Sequence, residues 1–290
     1  MKQLLISLID RIIKKILFFL GILKDRWCLA VIDQHFKIKK ILYPPKGFFW
    51  ADPFFFKNNN KEYVFYESYS YKKKRGEIAC GQFKDNKIIN SKIFLKKNYH
   101  LSYPFLFRYN GDIFLIPETH QKKRLEIYKC IKFPFKWKLF STGFTNKSLV
   151  DTTILQHNKS LWLFTNEMSS EVDDFNKKLH IYKIDSPKLK KIIAHTKNPV
   201  INNLNGGRNA GSFMNINKEI IRPSQINKIG KYGYALKLSK VKKLTTSNYV
   251  EKKIKTILPN KKFASGIHHI TRINEKNYIV DICLKYSFNK

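Results

Sequence analysis

Acidic residues are scarce in this chain: 21 Asp and Glu stand against 56 Lys and Arg in 290 residues, a formal net charge of +35. Five of those acids, Asp52, Glu67, Glu118, Asp151 and Asp281, nevertheless fall at the ends of one recurring segment. Arg208 and Arg222, two of only eight arginines, and the pair His268-His269 belong to the same places in that segment. So do the amides Asn209 and Gln225 and the aromatic side chains Trp50 and Tyr103. Carboxylates, amides, aromatic rings and a few cations are the groups that hold a sugar's hydroxyl array. The arginines would add a grip on phosphate.

The recurring segment defines the elements that must position these groups. It reads DPFFFKNNNKEYVFYE at 52–67, YPFLFRYNGDIFLIPE at 103–118 and DTTILQHNKSLWLFTN at 151–166, with looser copies at 209–225 and 269–281. Each copy opens on a polar position, runs through an apolar strand, turns at Asn, and returns through a second apolar strand. That is a hairpin. A third strand follows in GEIAC (76–80), LEIYKC (125–130), LHIYKI (179–184) and YGYALKL (232–238). A fourth is legible in KIINSKIFL, FKWKLFS, KLKKIIAH and KKIKTIL. Five such units predict an all-β fold, a five-bladed β-propeller of four-stranded antiparallel blades over residues 27–290. The stretch WCLAVI at 27–32 is placed to close the ring with the last blade.

Propeller topology then ranks the polar residues. The innermost strand of each blade lines the central channel and the second returns antiparallel to it, so the first position of one meets the last of the other. Asp52 is thereby expected beside Glu67, Tyr103 beside Glu118, Asp151 beside Asn166, Asn209 beside Gln225, and His269 beside Asp281. With Arg208, Arg222 and His268 these form a polar ring at one channel mouth, the expected ligand site.

Other classes are excluded or disfavoured. The chain has no Walker loop, no G-x-G-x-x-G after a strand and no G-x-S-x-G elbow. Its four cysteines form no C-x-x-C pair and read as buried small hydrophobes, so no zinc site, metal or cofactor is signalled, although the rim carboxylates leave room for a divalent cation. Basic charge invites a nucleic-acid partner, yet 48 of the 56 cations are Lys, whereas bidentate recognition leans on Arg. Residues 1–26 form an amphipathic basic helix in expectation: Asp10, Arg11, Lys14 and Lys15 share one face, and Leu and Ile fill the other. Those charges argue against a membrane span or signal peptide. They suit either an interfacial helix on an anionic membrane, which would make this a cytoplasmic protein peripheral to the inner face of the membrane, or a helix docked on its own propeller.

The stretches FFWADPFFF, EYVFYE, GEIAC, SYPFLFRYNGDIFLIPET, LEIYKC, FPFKWKL, VDTTIL, IIRPSQ and YGYALKLSKV, from about Trp50 to Val241, resemble the N-terminal propeller domain of plant glucosamine inositolphosphorylceramide transferase and its bacterial relatives. More distantly they are similar to the propellers of glycoside hydrolase families 43, 62, 32 and 68. The hydrolase resemblance implies that Asp52 is a general base and that Asp151 modulates pKa values. The acid that would open blade four is replaced by Arg208-Asn209-Ala210-Gly211, which disfavours ordinary hydrolysis. The expected function is a carbohydrate-active, glycosyltransferase-like protein of surface polysaccharide or glycolipid biosynthesis. In it Asp52 activates an acceptor hydroxyl, Glu118 and Asp151 orient the sugar, and Arg208 and Arg222 hold a phosphate. Sugar, nucleotide-sugar and glycolipid are the partner classes. The alternatives are a non-catalytic glycan- or lipid-head-group-binding module that partners a transferase, and a furanosidase-type glycoside hydrolase.

Overall fold

A computed structural model describes residues 26–168, 175–229, 231–262 and 264–284. The expected N-terminal helix therefore lies outside the described residues, apart from Arg26. What is described is a ring of five antiparallel sheets. Blade one runs through Phe48–Asn58, Lys61–Ser70, Arg75–Lys84 and Lys87–Leu95, from the channel outward. Blade two repeats this with Ser102–Tyr109, Asp112–Glu118, Leu125–Lys132 and Lys136–Gly143. Blade three uses Ser148–His157, Ser160–Met168 and Lys178–Ile184, with an outer edge interrupted into Ile192–Ala194 and Ile201–Asn202. In blade four the inner edge is interrupted (Asn205–Asn209, Met214–Ile216), followed by Glu219–Lys228, Lys231–Leu244 and Tyr249–Ile257.

Blade five joins the two ends of the chain. Ala264–Gly266, Ile270–Arg272 and Asn277–Leu284 come from the C-terminal side, and Trp27–Asp33 and Ile38–Leu42 complete the sheet. Trp27–Asp33 pairs with Asn277–Leu284 over seven residues, from Trp27↔Cys283 to Asp33↔Asn277. This is the expected ring closure. The closing strand reads Trp-Cys-Leu-Ala-Val-Ile and is buried on both faces, which explains its continuous apolar run.

Each sheet face packs on the next blade, so the core is a chain of interfaces. Leu29, Val31, Tyr66, Phe83 and Ile279 fill the contact between blades five and one. Phe54, Phe65, Phe105, Phe107, Leu115 and Ile127 dominate the largest cluster, between blades one, two and three. The abundant aromatic residues fill these wedges, as in the edge-to-face contact of Phe54 with Phe105 at 5.8 Å. Cys28, Cys80 and Cys283 are buried and Cys130 is half-buried, and no disulfide links any two of the four. Leu29→Ala, in the closing strand, should cost about 2–5 kcal/mol in urea denaturation, the range for deleting a fully buried leucine side chain. A loss under about 1 kcal/mol would mean the closure carries little of the stability.

Candidate active site

Three inner strands share a local distortion at the channel mouth. Asp52, Tyr103 and Asp151 all have positive φ, at 52°, 45° and 50°. Pairing register slips around each: between Ala51 and Phe54, between Ser102 and Phe105, and between Val150 and Thr153. A left-handed conformation in a residue bearing a side chain costs on the order of 1–3 kcal/mol, so the surroundings must hold it. Side-chain carboxylates supply part of that hold. Asp281 Oδ2 accepts the Asp52 N–H at 3.0 Å, and Asp52 Oδ2 accepts the Tyr103 N–H at 3.1 Å. Asn166 Oδ1 accepts the N–H of Asn209, which opens blade four, at 3.0 Å. These bonds stitch neighbouring blades together at one end of the channel.

The mouth encloses a cavity of about 270 Å³. Asp52, Glu67, Glu118 and Asp151 contribute its carboxyl groups, and Arg208, His268 and His100 its nitrogen bases. Trp27 and Tyr232 wall one side, with His268 in edge contact with Trp27 at 4.3 Å. Phe49 and Tyr69 stack on each other at 4.5 Å with an interplanar angle of 5° and form another wall. Six of the residues expected at the site therefore meet here: Asp52, Glu67, Glu118, Asp151, Arg208 and His268.

The other residues expected there, Asn166 and Asp281 among them, do not line the cavity. Trp50 packs against Tyr66 at 4.9 Å, in the core between blades five and one. Tyr103 points down the channel, where its hydroxyl meets Thr153 Oγ1 at 2.9 Å and accepts the Gly211 N–H at 2.8 Å. His269 is fully buried between Phe54 and Tyr103. Gln225 and Asn209 hydrogen-bond beneath the floor, the Gln225 amide to Asn209 O at 3.1 Å and the Asn209 amide to Asp151 O at 2.9 Å. Arg222 is buried inside blade four, where Nε meets Glu251 Oε2 at 2.7 Å and NH1 donates to Asn209 Oδ1 at 3.0 Å. With its charge consumed by Glu251, Arg222 is not placed to hold a phosphate.

Trp27, Phe49, Tyr69, His100, His120 and Tyr232 were not anticipated. Phe49 had a signal, since it lies two residues before Ala51 and alternation puts both on one face. Tyr69 had the same signal, two residues after Glu67 on one strand, and the others come from connections or strand starts that lie out of phase with the repeat.

Pairing sets the charge states. Burial alone would raise the Asp52 carboxyl, but His268 and His269 outweigh it and hold the group well below the usual carboxylate range. His268 sits 3.4 Å from Asp52 and 2.9 Å from Asp281; burial opposes its charge, yet the two carboxylates push it up to about 10. Glu118 is resisted by burial but is lowered by His120, whose Nδ1 lies 2.7 Å from Oε1. Asp151 is pushed up to about 7 by burial and by Glu118, against the pull of Arg208 Nε at 2.5 Å. Arg208 also lies over the Tyr232 ring at 5.0 Å, which fixes its guanidinium. Asp52, His268 and Asp281 bring possible metal-ligating atoms within 4.8 Å of one another. Both Asp281 oxygens accept backbone N–H groups, and the His268 imidazole lies between the Asp52 and Asp281 carboxylates.

Because His268 is raised when folded, its stabilisation is fully present below about pH 6.5 and is lost as pH rises through about 10. Chemical denaturation should show wild type far more stable than His268→Gln at pH 6, with the gap narrowing toward pH 10. A gap independent of pH would contradict the ion pairs.

The chain is 32% identical over 207 residues to glucosamine inositolphosphorylceramide transferase 1 of Oryza sativa subsp. japonica, covering 70% of this chain and 27% of that protein. The Arabidopsis thaliana protein of the same name is 32% identical over 208 residues, with the same coverage. The chain thus spans about a quarter of the length of these relatives. Among solved structures, an alpha-L-arabinofuranosidase from Lactobacillus brevis superposes with a TM-score of 0.57 at 15% identity, covering 86% of this chain and 88% of that one. A family 117 glycoside hydrolase of Zobellia galactanivorans gives 0.59 at 9% identity, covering 92% of each chain. These two likenesses establish the fold alone. The family described as glucosamine inositolphosphorylceramide transferase 1, N-terminal, matches residues 38–274, and the chain belongs to it.

Proposed function

We propose that this chain is a carbohydrate-active, glycosyltransferase-like protein of surface polysaccharide or glycolipid biosynthesis, and that it holds a sugar in the cavity at the channel mouth. One observation carries this reading: four buried carboxyl groups, from the inner hairpins of blades one, two and three, face a small cavity walled by aromatic rings. Aromatic faces suit the apolar C–H face of a sugar ring, and carboxylates suit its hydroxyls. Asp52, held ionised, is the group able to take a proton from an acceptor hydroxyl. Glu118 and Asp151 orient the sugar, and Arg208 offers its guanidinium edge to an anionic or hydroxyl oxygen. Tyr103, His269, Asn209, Gln225 and Arg222 act by holding the floor. No cofactor enters this scheme.

A second reading is favoured by the coverage of the relatives. A domain spanning 27% of a transferase fits a non-catalytic module that presents a glycan or lipid head group to a partner. Asp52→Asn separates the two readings when wild type and variant are titrated with methyl glycosides, nucleoside diphosphate sugars and arabinan, fructan and xylan oligosaccharides. An enzyme should keep affinity within about threefold and lose roughly 10²–10⁴ in turnover, the usual worth of a general base. A binding module should turn nothing over in either form. Release of free sugar by wild type would favour the hydrolase reading.

Among the described residues no helix is long and apolar enough to cross a membrane. We propose that residues 1–26, with six basic and two acidic side chains, rest on an anionic membrane at its cytoplasmic face. Removing residues 1–26 should weaken co-sedimentation with phosphatidylserine vesicles at least tenfold. Equal sedimentation would contradict the proposal.

A further inference from the structure

Three of the four cavity carboxyl groups have a cation of their own. Asp52 has His268, Glu118 has His120 and Asp151 has Arg208. Glu67 has none among the described residues. The imidazole beside it belongs to His100, with Nε2 3.5 Å from Glu67 Oε1. His100 Nδ1 accepts the Gly76 N–H at 3.0 Å, and a ring nitrogen that accepts a hydrogen bond bears no proton. His100 is therefore neutral in this geometry, with its single N–H on the side facing Glu67. Glu67 is 4% exposed, and its Oε1 has no hydrogen-bond partner among the described residues. An ionised carboxylate there would be a buried, unpaired charge beside other carboxylates, a cost that protonation removes.

The arrangement depends on close approach. A Cβ on Gly76 would fall 2.4 Å from Glu67 Oε1, 2.4 Å from Leu101 O and 2.9 Å from His100 Cε1. Only glycine lets the third strand of blade one pass beneath both side chains. The titratable groups that face Glu67 are Asp52, Glu118, Asp281, His268, His100 and Tyr69. Burial, then Asp52 and Glu118, push its carboxyl well above the usual range, with His268 opposing.

We propose that Glu67 is the proton donor of this site, presenting a neutral carboxyl to the leaving oxygen of a glycosyl donor, and that His100 is its positioning residue. The proposal rests on the glycosyl-transfer reading above. In the step, the bond from the sugar's anomeric carbon to the leaving oxygen breaks, its electron pair goes to that oxygen, and the Glu67 proton follows. The acceptor hydroxyl oxygen forms the new bond to the anomeric carbon and gives its proton to Asp52. Exchange with water returns a proton to Glu67 and removes one from Asp52. Two carboxyl groups with opposed protonation states are what acid–base transfer requires. A proton donor matters for an alkoxide leaving group and is superfluous for a diphosphate. The donor class is therefore a glycoside or glycolipid, with a sugar joined to an alcohol oxygen.

Two measurements test this. Diazoacetamide esterifies protonated carboxyl groups: the carboxyl proton moves to the diazo carbon, the carboxylate oxygen bonds to it, and dinitrogen leaves. At pH 7, mass spectrometry of the full chain should find Glu67 labelled ahead of Asp52, Glu118 and Asp151. His100→Ala should shift the pH at which labelling halves, and His100→Asn, which keeps an N–H donor, should restore it. On methyl and 4-nitrophenyl glycosides of whichever sugar the wild type transfers, Glu67→Gln should lose about 10²–10⁴-fold with the methyl leaving group and under tenfold with nitrophenol. Labelling of Asp52, Glu118 or Asp151 in place of Glu67, or an equal loss on both donors, overturns the proposal. Labelling needs no substrate. A labelled Glu67 with no glycoside turned over would overturn the transfer reading and the step built on it, and would leave the neutral carboxyl as a ligand hydrogen-bond donor.

Discussion

The carboxylate of Asp281 is the interaction on which the rest of the structure depends. Fully buried, it accepts the N–H groups of Asp52, His268 and His269 at 3.0, 3.1 and 2.9 Å. Hydrogen bonds to a charged acceptor contribute about 1.5–3 kcal/mol each. The first joins blade five to blade one, and the other two fix the connection ahead of Ile270–Arg272 within blade five, the sheet in which the two ends of the chain meet to close the ring. The same carboxylate raises His268, and His268 in turn holds Asp52 ionised. Ring closure and site electrostatics are thus set by one side chain, and a change at Asp281 reaches both.

The blades were legible in the sequence because a propeller repeats its hydrophobic pattern. The copies at 52–67, 103–118 and 151–166 align without a gap, and the closing strand at 27–32 stood out as an apolar run ahead of the first copy. The site was legible only as positions. Asp52, Glu67, Glu118, Asp151, Arg208 and His268 reach the cavity. Tyr103, at the position equivalent to Asp52, turns into the channel to bond Thr153 and Gly211. Strand phase gave the right end of the blade, while the direction of each side chain followed from bulges that a two-residue period does not encode. Arg222 was misleading for a related reason. Its partner Glu251 stands on the outer strand of blade four, far along the chain, so nothing local announced the pair.

The strong positive charge and the rare acids play different parts. Lys72, Lys73, Lys74, Lys252 and Lys253 are solvent-facing, at a turn and on an outer strand, where lysine discourages sheet edges from pairing. Inside the mouth, charge is matched group by group: Asp52 with His268, Glu118 with His120, Asp151 with Arg208. Glu67 stands outside that matching, and the cavity owes its acid–base asymmetry to it. Family membership fits this picture, since the matched region at 38–274 takes in every residue of the cavity except Trp27.

A ligand-bound crystal structure tests the central claim most directly, by soaking with the methyl glycosides and glycolipid head groups of the binding panel. Sugar density is expected at the mouth, between the Trp27–Tyr232 and Phe49–Tyr69 walls, with hydroxyls on Asp52, Glu67, Glu118 or Asp151. Density confined to the opposite end of the channel, among Ser212, Asn215, Arg272 and Glu275, would contradict it.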